Sequence, residues 1–247
     1  MSLELEQRLQ LFPVTTRLAG SGESQELQIG GISLSELAEQ YGTPLYLYDQ
    51  ATIDSALGEY QATLEAHYSG SVGITYAGKA FLCLAMAEYC RRKRLWLDCT
   101  GAGELRIAGA AGVLYDKTVV HGVSKSRADL EAALKQAGVI VVDHPKELER
   151  LVGLLQGDPA HKPEIWLRYR PGIAVETHSY TQTGQNDSKF GMSAEELEQA
   201  AVYGLEKGLK VTGLHFHQGS HFHDPAPLEP AVNSALDLLK RIQEKTG

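Results

Sequence analysis

Apolar and polar positions alternate in two repeating rhythms along most of the chain. Short runs rich in β-branched residues are each followed by a longer stretch whose apolar positions recur at helical spacing. The runs predict strands over 72–77, 95–99, 118–122, 139–143, 164–170 and 210–217. The stretches predict helices over 51–66, 80–93, 103–111, 126–137, 145–156, 193–207 and 227–245. This alternation is typical of β-α units joined into a parallel sheet.

The spacing of these units predicts a barrel-like arrangement. Most strands begin about two dozen residues apart, the rhythm of a (β/α) barrel. A closed barrel needs eight β-α units, and only six fit here. We therefore expect either an open sheet or a barrel cut short. The connection 171–191 breaks the rhythm because it is long, polar and turn-rich. A loop of that length in a compact domain is usually functional.

The first 44 residues have a different pattern. The stretch "LQIGGISLSELAEQYGTP" (27–44) predicts a short strand, a turn and a helix that ends at a Gly and Pro stop. Ser33 is the expected N-cap, with Glu36 three residues further on. We interpret 1–44 as a lead-in segment that belongs partly to another domain, and 45–247 as the β-α part.

Composition narrows the classes of partner. The chain has 23 basic and 31 acidic residues, a net charge of −8, and its basic residues are scattered. Nucleic acids and anionic membranes are bound by clustered basic residues, so neither partner is expected. No secretory signal and no membrane-spanning run is visible. Cys83, Cys90 and Cys99 form no C-x-x-C pair, which predicts reduced thiols in a soluble cytoplasmic protein.

Candidate chemistry lies at the carboxyl ends of the strands, where ligands collect in parallel β-α folds. The chemically active side chains there are Lys79, Asp98, Glu104, His121, Lys125, Arg168, Arg170 and the histidines of 215–223. Lys79 follows an apolar strand. Partial desolvation would lower the pKa of its amine and favour a Schiff base with a carbonyl. The alternative is a strand-end lysine that points to water.

Four histidines lie in "HFHQGSHFH" (215–223), and His215 and His217 share one face of a strand. Such a pair can bind a metal in barrel hydrolases, but those enzymes carry it on their first strand. The following "QGS" offers backbone N–H groups and a hydroxyl, which suit an oxyanion such as phosphate. We therefore predict no metal, and we interpret His221 and His223 as surface residues.

Three further residues have simple structural interpretations. Asp98 could cap the next helix, and Cys99 could be a small buried apolar side chain. Arg168, if buried, must be paired, either within a structural ion pair or as an orienter of the site. The stretch "GAGELR" (101–106) lacks the third glycine of a dinucleotide fingerprint.

Taken together, these stretches resemble the fold-type III pyridoxal-phosphate decarboxylases, and within them the diaminopimelate decarboxylases. The matching stretches are 29–49, 76–80, 97–105, 121–143, 167–192 and 213–221. They follow the family's order along nearly the whole chain. The resemblance implies a (β/α)8 TIM barrel of the alanine racemase kind, here truncated after about six units, that binds pyridoxal 5'-phosphate at its mouth. It also implies a separate β-domain, built mainly from the C-terminal half.

The resemblance implies roles for particular residues. Lys79 is similar to the Schiff-base lysine and His217 to the histidine that stacks on the pyridine ring. Gly219 and Ser220 resemble part of the phosphate cradle, and Asp98 resembles a further group at the cofactor.

The resemblance also implies roles outside the cofactor contacts. Glu104 and Arg168 resemble groups around the lysine and the stacking histidine. Lys189 of "SKFG" resembles a lysine near a subunit interface, which implies a homodimer with shared active sites.

The sequence also departs from the family. Val123 and Ser124 stand where asparagines are usual, and Gln218 stands where Ile or Val is common. The family's later phosphate loop, its Glu-Pro-Gly-Arg stretch and its catalytic Cys and Tyr have no counterpart in 1–247. We therefore expect these 247 residues to be inactive alone.

The implied activity is carboxy-lyase chemistry on an amino acid. We expect decarboxylation of meso-2,6-diaminopimelate to L-lysine and CO2, the last step of lysine biosynthesis. The nearest alternatives are ornithine, arginine or carboxynorspermidine decarboxylases. Alternatives of another class are a non-catalytic pyridoxal-phosphate-binding barrel and a metal-dependent barrel hydrolase.

Overall fold

The computed structural model describes residues 8–22, 25–155, 162–173, 188–220 and 224–247. The chain divides into two compact units, Met1–Ile74 and Thr75–Gly247. The helix predicted at 51–66 groups with the first unit, while the assignment of 1–44 to another domain stays a prediction. No helix in the described ranges is long and apolar enough to cross a membrane.

The first unit contains an antiparallel three-stranded sheet. Its elements are β1 (Arg17–Ala19), β2 (Glu26–Ile29), β3 (Ile32–Ser33), α1 (Leu34–Tyr41) and α2 (Gln50–His67). Gly30 and Gly31 join β2 to β3 with φ of 61° and 80°. Two left-handed residues in succession suit a tight hairpin, and glycine adopts that conformation without steric cost. The predicted cap is confirmed, because Ser33 Oγ accepts from Glu36 N at 3.4 Å.

The second unit is a parallel sheet in which each strand lies beside its predecessor in the chain. Its strands are β4 (Thr75–Ala77), β5 (Trp96–Cys99), β6 (Thr118–Val120), β7 (Val139–Val142), β8 (Glu164–Arg168) and β9 (Lys210–His215). Its helices are α3 (Leu84–Arg92), α4 (Ala102–Ala110), α5 (Arg127–Gln136), α6 (Pro145–Leu155), α7 (Ala194–Glu206) and α8 (Leu228–Thr246). Every strand and helix predicted for this unit is present.

The order of strands confirms the prediction of a barrel cut short. Sequential parallel strands are the order of a (β/α) barrel, but in the described residues β4 and β9 each pair on one side only. The strands are shorter than predicted. The first ladder begins at Thr75, which pairs with Trp96, the first residue of β5. The earlier residues of 72–77 therefore have no pairing strand in the part of the chain that the structure describes.

Curvature of the sheet defines an inner face. The rings of Trp96 and Trp166 stack with centroids 6.4 Å apart, although β6 and β7 separate their strands. In a flat sheet three strand spacings would separate them by about 14 Å. The sheet therefore curls around the tryptophans, which pack against Val119, Val139 and Val141.

The opposite face of the sheet carries the main apolar core. Buried strand residues there include Leu97, Val120, Ile140, Ile165 and Leu167. Buried residues of the surrounding helices are Leu105, Leu130, Leu148, Leu151 and Leu197. Burial on both sides explains why β7 reads as an uninterrupted apolar run.

Candidate active site

The inner face becomes polar at the carboxyl ends of the strands. Parallel partners share a face, and side chains two residues apart on a strand point the same way. Asp98 follows Trp96 on this face, and Arg168 follows Trp166. Arg168 is also paired in register with His215. The prediction that these polar residues collect at one end of the sheet is confirmed by this register.

Asp98 holds His121. The His121 Nδ1 atom lies 2.7 Å from one carboxylate oxygen of Asp98 and 2.6 Å from the other. A carboxylate in this position makes Nδ1 the protonated nitrogen and fixes the plane of the ring. The helix-capping interpretation of Asp98 is wrong. The first turn of α4 is served instead by Asp129, whose Oδ1 accepts from Ala102 N at 2.9 Å.

His215 and His217 are neutral imidazoles. Burial lowers the pKa of His215 to about 3, and the positive charge of Arg168 adds to the effect. Burial also lowers the pKa of His217 to about 4, followed by the charge of Lys79. An uncharged, partly buried ring suits a stacking role, because it carries no charge to be hydrated. The stacking role of His217 itself stays a prediction.

Arg168 is buried and paired. Its guanidinium donates to Asp143 Oδ1 at 2.8 Å, and its carbon lies 4.8 Å from the centre of the Phe190 ring. Gly191 N also donates to Asp143 Oδ1, at 3.3 Å. Asp143 therefore ties the end of β8 to residues 190–191. Sequence reasoning missed Asp143, although an acidic residue directly after a buried strand was the signal available.

Lys79 occupies a short 3-10 turn, Gly78–Ala80, after β4. Its side chain is exposed, so the predicted partial desolvation is wrong for this chain. The physical reason is that β4 has a described neighbour on one side only. The turn itself is tightly packed, since a Cβ atom on Gly78 would lie 2.7 Å from Asp98 O and 3.7 Å from Glu104 Oε2.

Glu104 therefore lies beside the turn that carries Lys79. Its Oε2 atom accepts from Thr100 N at 2.5 Å and from Thr100 Oγ1 at 2.9 Å. These bonds close the loop between β5 and α4.

Cys99 is fully buried, and burial raises the pKa of its thiol to about 12. Its interpretation as a small buried apolar residue is confirmed.

The side chain of Lys125 is buried between the loop after β6, strand β7 and helix α6. Its fully buried ammonium donates to Gly122 O, to Val141 O at 2.9 Å and to Glu147 Oε1 at 2.7 Å. Burial raises the pKa of Glu147, and the charge of Lys125 opposes that rise. Lys125 thus joins the loop after β6 to β7 and to α6.

The end of β9 continues into Gln218, Gly219 and Ser220. Gln218 is buried and donates from Nε2 to Ile173 O at 2.7 Å. Gly219 is buried with φ of 148°, and Ser220 is half-buried. Their cradle role stays a prediction. His221, His223 and residues 174–187 of the predicted functional loop lie outside the described residues.

Two further points concern Lys189 and metal ligands. Lys189 is exposed, with its ammonium 5.1 Å from the centre of the Phe190 ring, and its predicted place near a subunit interface is untested. Across the described ranges, no three His, Cys, Asp or Glu side chains are grouped closely enough to hold a metal ion.

Comparison with known proteins agrees with this geometry. Residues 51–247 match the family model of the pyridoxal-dependent decarboxylase, pyridoxal binding domain. Among curated proteins, the chain is 36% identical over 226 residues to diaminopimelate decarboxylase of Synechocystis, covering 88% of this chain and 47% of that protein. It is 38% identical over 238 residues to diaminopimelate decarboxylase of Bacillus methanolicus, covering 95% of this chain and 54% of that protein.

Solved structures show the same relationship. Diaminopimelate decarboxylase of Helicobacter pylori, complexed with L-lysine, superposes with a TM-score of 0.79 at 30% identity, covering 85% of this chain and 53% of that chain. Diaminopimelate decarboxylase of M. jannaschii in co-complex with L-lysine superposes with a TM-score of 0.81 at 26% identity, covering 94% of this chain and 54% of that chain. The chain spans about half the length of the curated relatives it matches. With its six-stranded parallel sheet, the chain belongs to the family of the pyridoxal-binding domain of pyridoxal-dependent decarboxylases.

Proposed function

We propose that the protein containing this chain is a diaminopimelate decarboxylase that uses pyridoxal 5'-phosphate. It would remove the carboxylate at the D-configured centre of meso-2,6-diaminopimelate and form L-lysine and CO2. The observation that carries the proposal is the match of residues 51–247 to the pyridoxal binding domain of pyridoxal-dependent decarboxylases, together with 36–38% identity to diaminopimelate decarboxylases. Lys79 follows β4 and His217 follows β9, so both residues come directly after the carboxyl ends of their strands.

The residues present fit the cofactor's chemical groups. Lys79 offers an exposed amine for the cofactor aldehyde, and His217 offers an uncharged ring for stacking. Gly219 and Ser220 offer a backbone N–H and a hydroxyl to a phosphate. When bound, pyridoxal phosphate supplies the electron sink for the pair of electrons released with CO2.

The remaining residues orient this set. Asp98 fixes His121, and Asp143 fixes Arg168 at the register of His215. Glu104 braces the loop beside the lysine turn. Arrangements of this kind contribute by holding reacting groups in place, so that little reorganisation is needed during reaction.

We also infer that the protein is a cytoplasmic homodimer. The three cysteines are unpaired thiols, as expected in a reducing compartment. Exposed Lys189 adjoins the Arg168–Phe190 contact, where a partner subunit could reach the site. Sedimentation of the full-length protein with Lys189→Ala tests this, because a lost interface contact should weaken the dimer.

Covalent labelling tests the proposed role of Lys79. Borohydride reduction of the cofactor-loaded full-length protein should fix the cofactor irreversibly, and peptide mapping should place the added mass on Lys79. The Lys79→Ala variant should lose the label, while Lys135→Ala, which removes an exposed lysine of α5, should keep it. A label on any other lysine would overturn the assignment.

A second test concerns His217. His217→Ala should weaken cofactor retention without abolishing the covalent link, because ring stacking contributes on the order of 1 kcal/mol beyond area burial. His67→Ala, which removes an exposed histidine of α2, is the matched control. Equal retention in both variants would rule out the stacking role.

Substrate identity is tested on the full-length protein. meso-Diaminopimelate should be decarboxylated in preference to ornithine, arginine and carboxynorspermidine, with L-lysine as product. If one of the other three compounds is preferred, the protein is still a decarboxylase, but its substrate is not meso-diaminopimelate. The 247 residues expressed alone should form no lysine, since within the described ranges β4 and β9 each pair on one side only.

A further inference from the structure

The rings of His121 and His215 meet across the inside of the sheet. Their centroids are 5.7 Å apart, with 30° between the planes. His121 follows β6 and His215 ends β9, so β7 and β8 lie between them. Three strand spacings correspond to about 14 Å in a flat sheet. The contact therefore spans the curl of the sheet at its carboxyl end.

The His121 side of this contact is anchored twice. Both carboxylate oxygens of Asp98 lie within hydrogen-bond distance of Nδ1, which holds the ring plane. The backbone is held as well, because a Cβ atom on Gly122 would lie 1.8 Å from Thr100 O. Lys125 binds Gly122 O from the other side. His121 is thus a fixed point at the end of β6.

The His215 side has fewer side-chain contacts. Its Nδ1 atom is buried and has no hydrogen-bond partner in the part of the chain that the structure describes. Its backbone oxygen accepts from Tyr169 N at 2.7 Å, which joins it to β8. The stacking contact with His121 therefore supports a ring whose Nδ1 atom has no described hydrogen bond.

The surroundings of His215 are charged on several sides. Arg168 faces it from β8, and Asp143, at the end of β7, pairs with Arg168. His121 faces it from β6, with Asp98 of β5 behind. Among the described residues, Lys79 after β4 and His217 after β9 also act on the pKa of His215. Burial by these neighbouring groups lowers the pKa of the imidazole, and their positive charges lower it further.

We propose that His121, anchored by Asp98, is a positioning residue that sets the spacing between the ends of β6 and β9. Because His217 follows His215 by two residues, that spacing also decides where the His217 ring lies. The consequence for cofactor stacking rests on the proposed function, whereas the cross-sheet contact stands without it.

The first experiment needs no cofactor. Histidine titration by NMR on the full-length protein would compare the parent with His121→Ala, His121→Phe and His67→Ala. His121→Ala should raise the pKa of His215 above its value of about 3, because the ring loses the cover of its stacked neighbour. His121→Phe should keep it low, since an aromatic ring still covers His215. A pKa in His121→Ala equal to that of the His67→Ala control would overturn the proposal.

The second experiment measures pyridoxal phosphate affinity by quenching of tryptophan fluorescence. His121→Ala should bind roughly threefold to tenfold more weakly than His67→Ala, the range of one aromatic contact, and His121→Phe should recover most of the loss. Equal weakness of the Ala and Phe variants would refute positioning through the ring contact. If the parent binds no pyridoxal phosphate, the proposed function fails, while the titration still decides the cross-sheet contact.

Discussion

The two ends of the inner face use the same geometry for different purposes. At the amino end, Trp96 and Trp166 meet across two intervening strands and pack with valines. At the carboxyl end, His121 and His215 meet across the same number of strands among charged groups. Curvature brings side chains of distant strands together at both levels. The apolar level contributes stability, and the polar level arranges chemistry, as barrels generally divide these tasks between their two ends.

Two charged groups at the polar end, Asp98 and Arg168, have partners, whereas the buried Nδ1 of His215 has no hydrogen-bond partner among the described residues. Asp98 binds His121, and Asp143 binds Arg168. The buried Lys125–Glu147 pair lies nearby, between the loop after β6 and helix α6. Burial of an unpaired charge would cost several kcal/mol. Substitutions that leave one partner alone should therefore distinguish the two ends most clearly.

The largest effect is expected when the buried ion pair is broken. Lys125→Met should lower the free energy of unfolding by about 3–5 kcal/mol, because Glu147 would remain buried without its partner. The double variant with Glu147→Leu should lose less. In the exposed pair Arg127–Glu131, Arg127→Met should cost at most about 0.5 kcal/mol. Denaturant unfolding measures all three, and a double variant as unstable as Lys125→Met would contradict this account.

The next effect tests the apolar end. Trp166→Ala should lower the free energy of unfolding by about 3 kcal/mol, because it removes a large ring from a packed cluster. Pyridoxal phosphate affinity, measured under conditions where the variant is folded, should change little. A large loss of affinity with full stability would show that the apolar end also shapes the site.

Acid should destabilise the polar end. The pKa of His215 is lowered in the folded protein to about 3, so the unfolded chain binds a proton that the folded one excludes. The stability that comes from the neutral ring is present above about pH 6.5 and is lost as pH falls towards 3, by about 1 kcal/mol per pH unit. Denaturant unfolding between pH 6.5 and 4.5 measures the slope. His215→Asn should reduce the slope and leave the part that comes from His217, whose pKa is also lowered, to about 4. An unchanged slope would exclude His215 as a source.

The smallest effect concerns the loop that supports His121. Ser124 has φ of 50°, a left-handed conformation that Asn tolerates better than Ser. Ser124→Asn should therefore raise the free energy of unfolding by about 0.5 kcal/mol. Ser124→Ala is the control, since Ala gains nothing in that conformation. Equal stability of the Asn and Ala variants would indicate that the backbone at Ser124 carries no strain.

Local patterns in the sequence were enough to predict the secondary structure and the family. Six β-α units, the Ser33 cap and the placement of polar residues at strand ends follow from spacing over a few residues. The resemblance to pyridoxal-phosphate decarboxylases likewise depends on short motifs in a set order. The ends of strands were less predictable, because a strand ends where its neighbour no longer pairs with it.

Tertiary structure alone decided which side chains meet. Asp98 could have capped α4, and only the register between β5 and β6 places it on His121. The contact of His121 with His215 depends on how strongly the sheet curls, which no local pattern encodes. Burial was likewise decided by position in the sheet. Lys125 is enclosed by the loop after β6, β7 and α6, whereas Lys79 is exposed after β4, which has one described neighbouring strand.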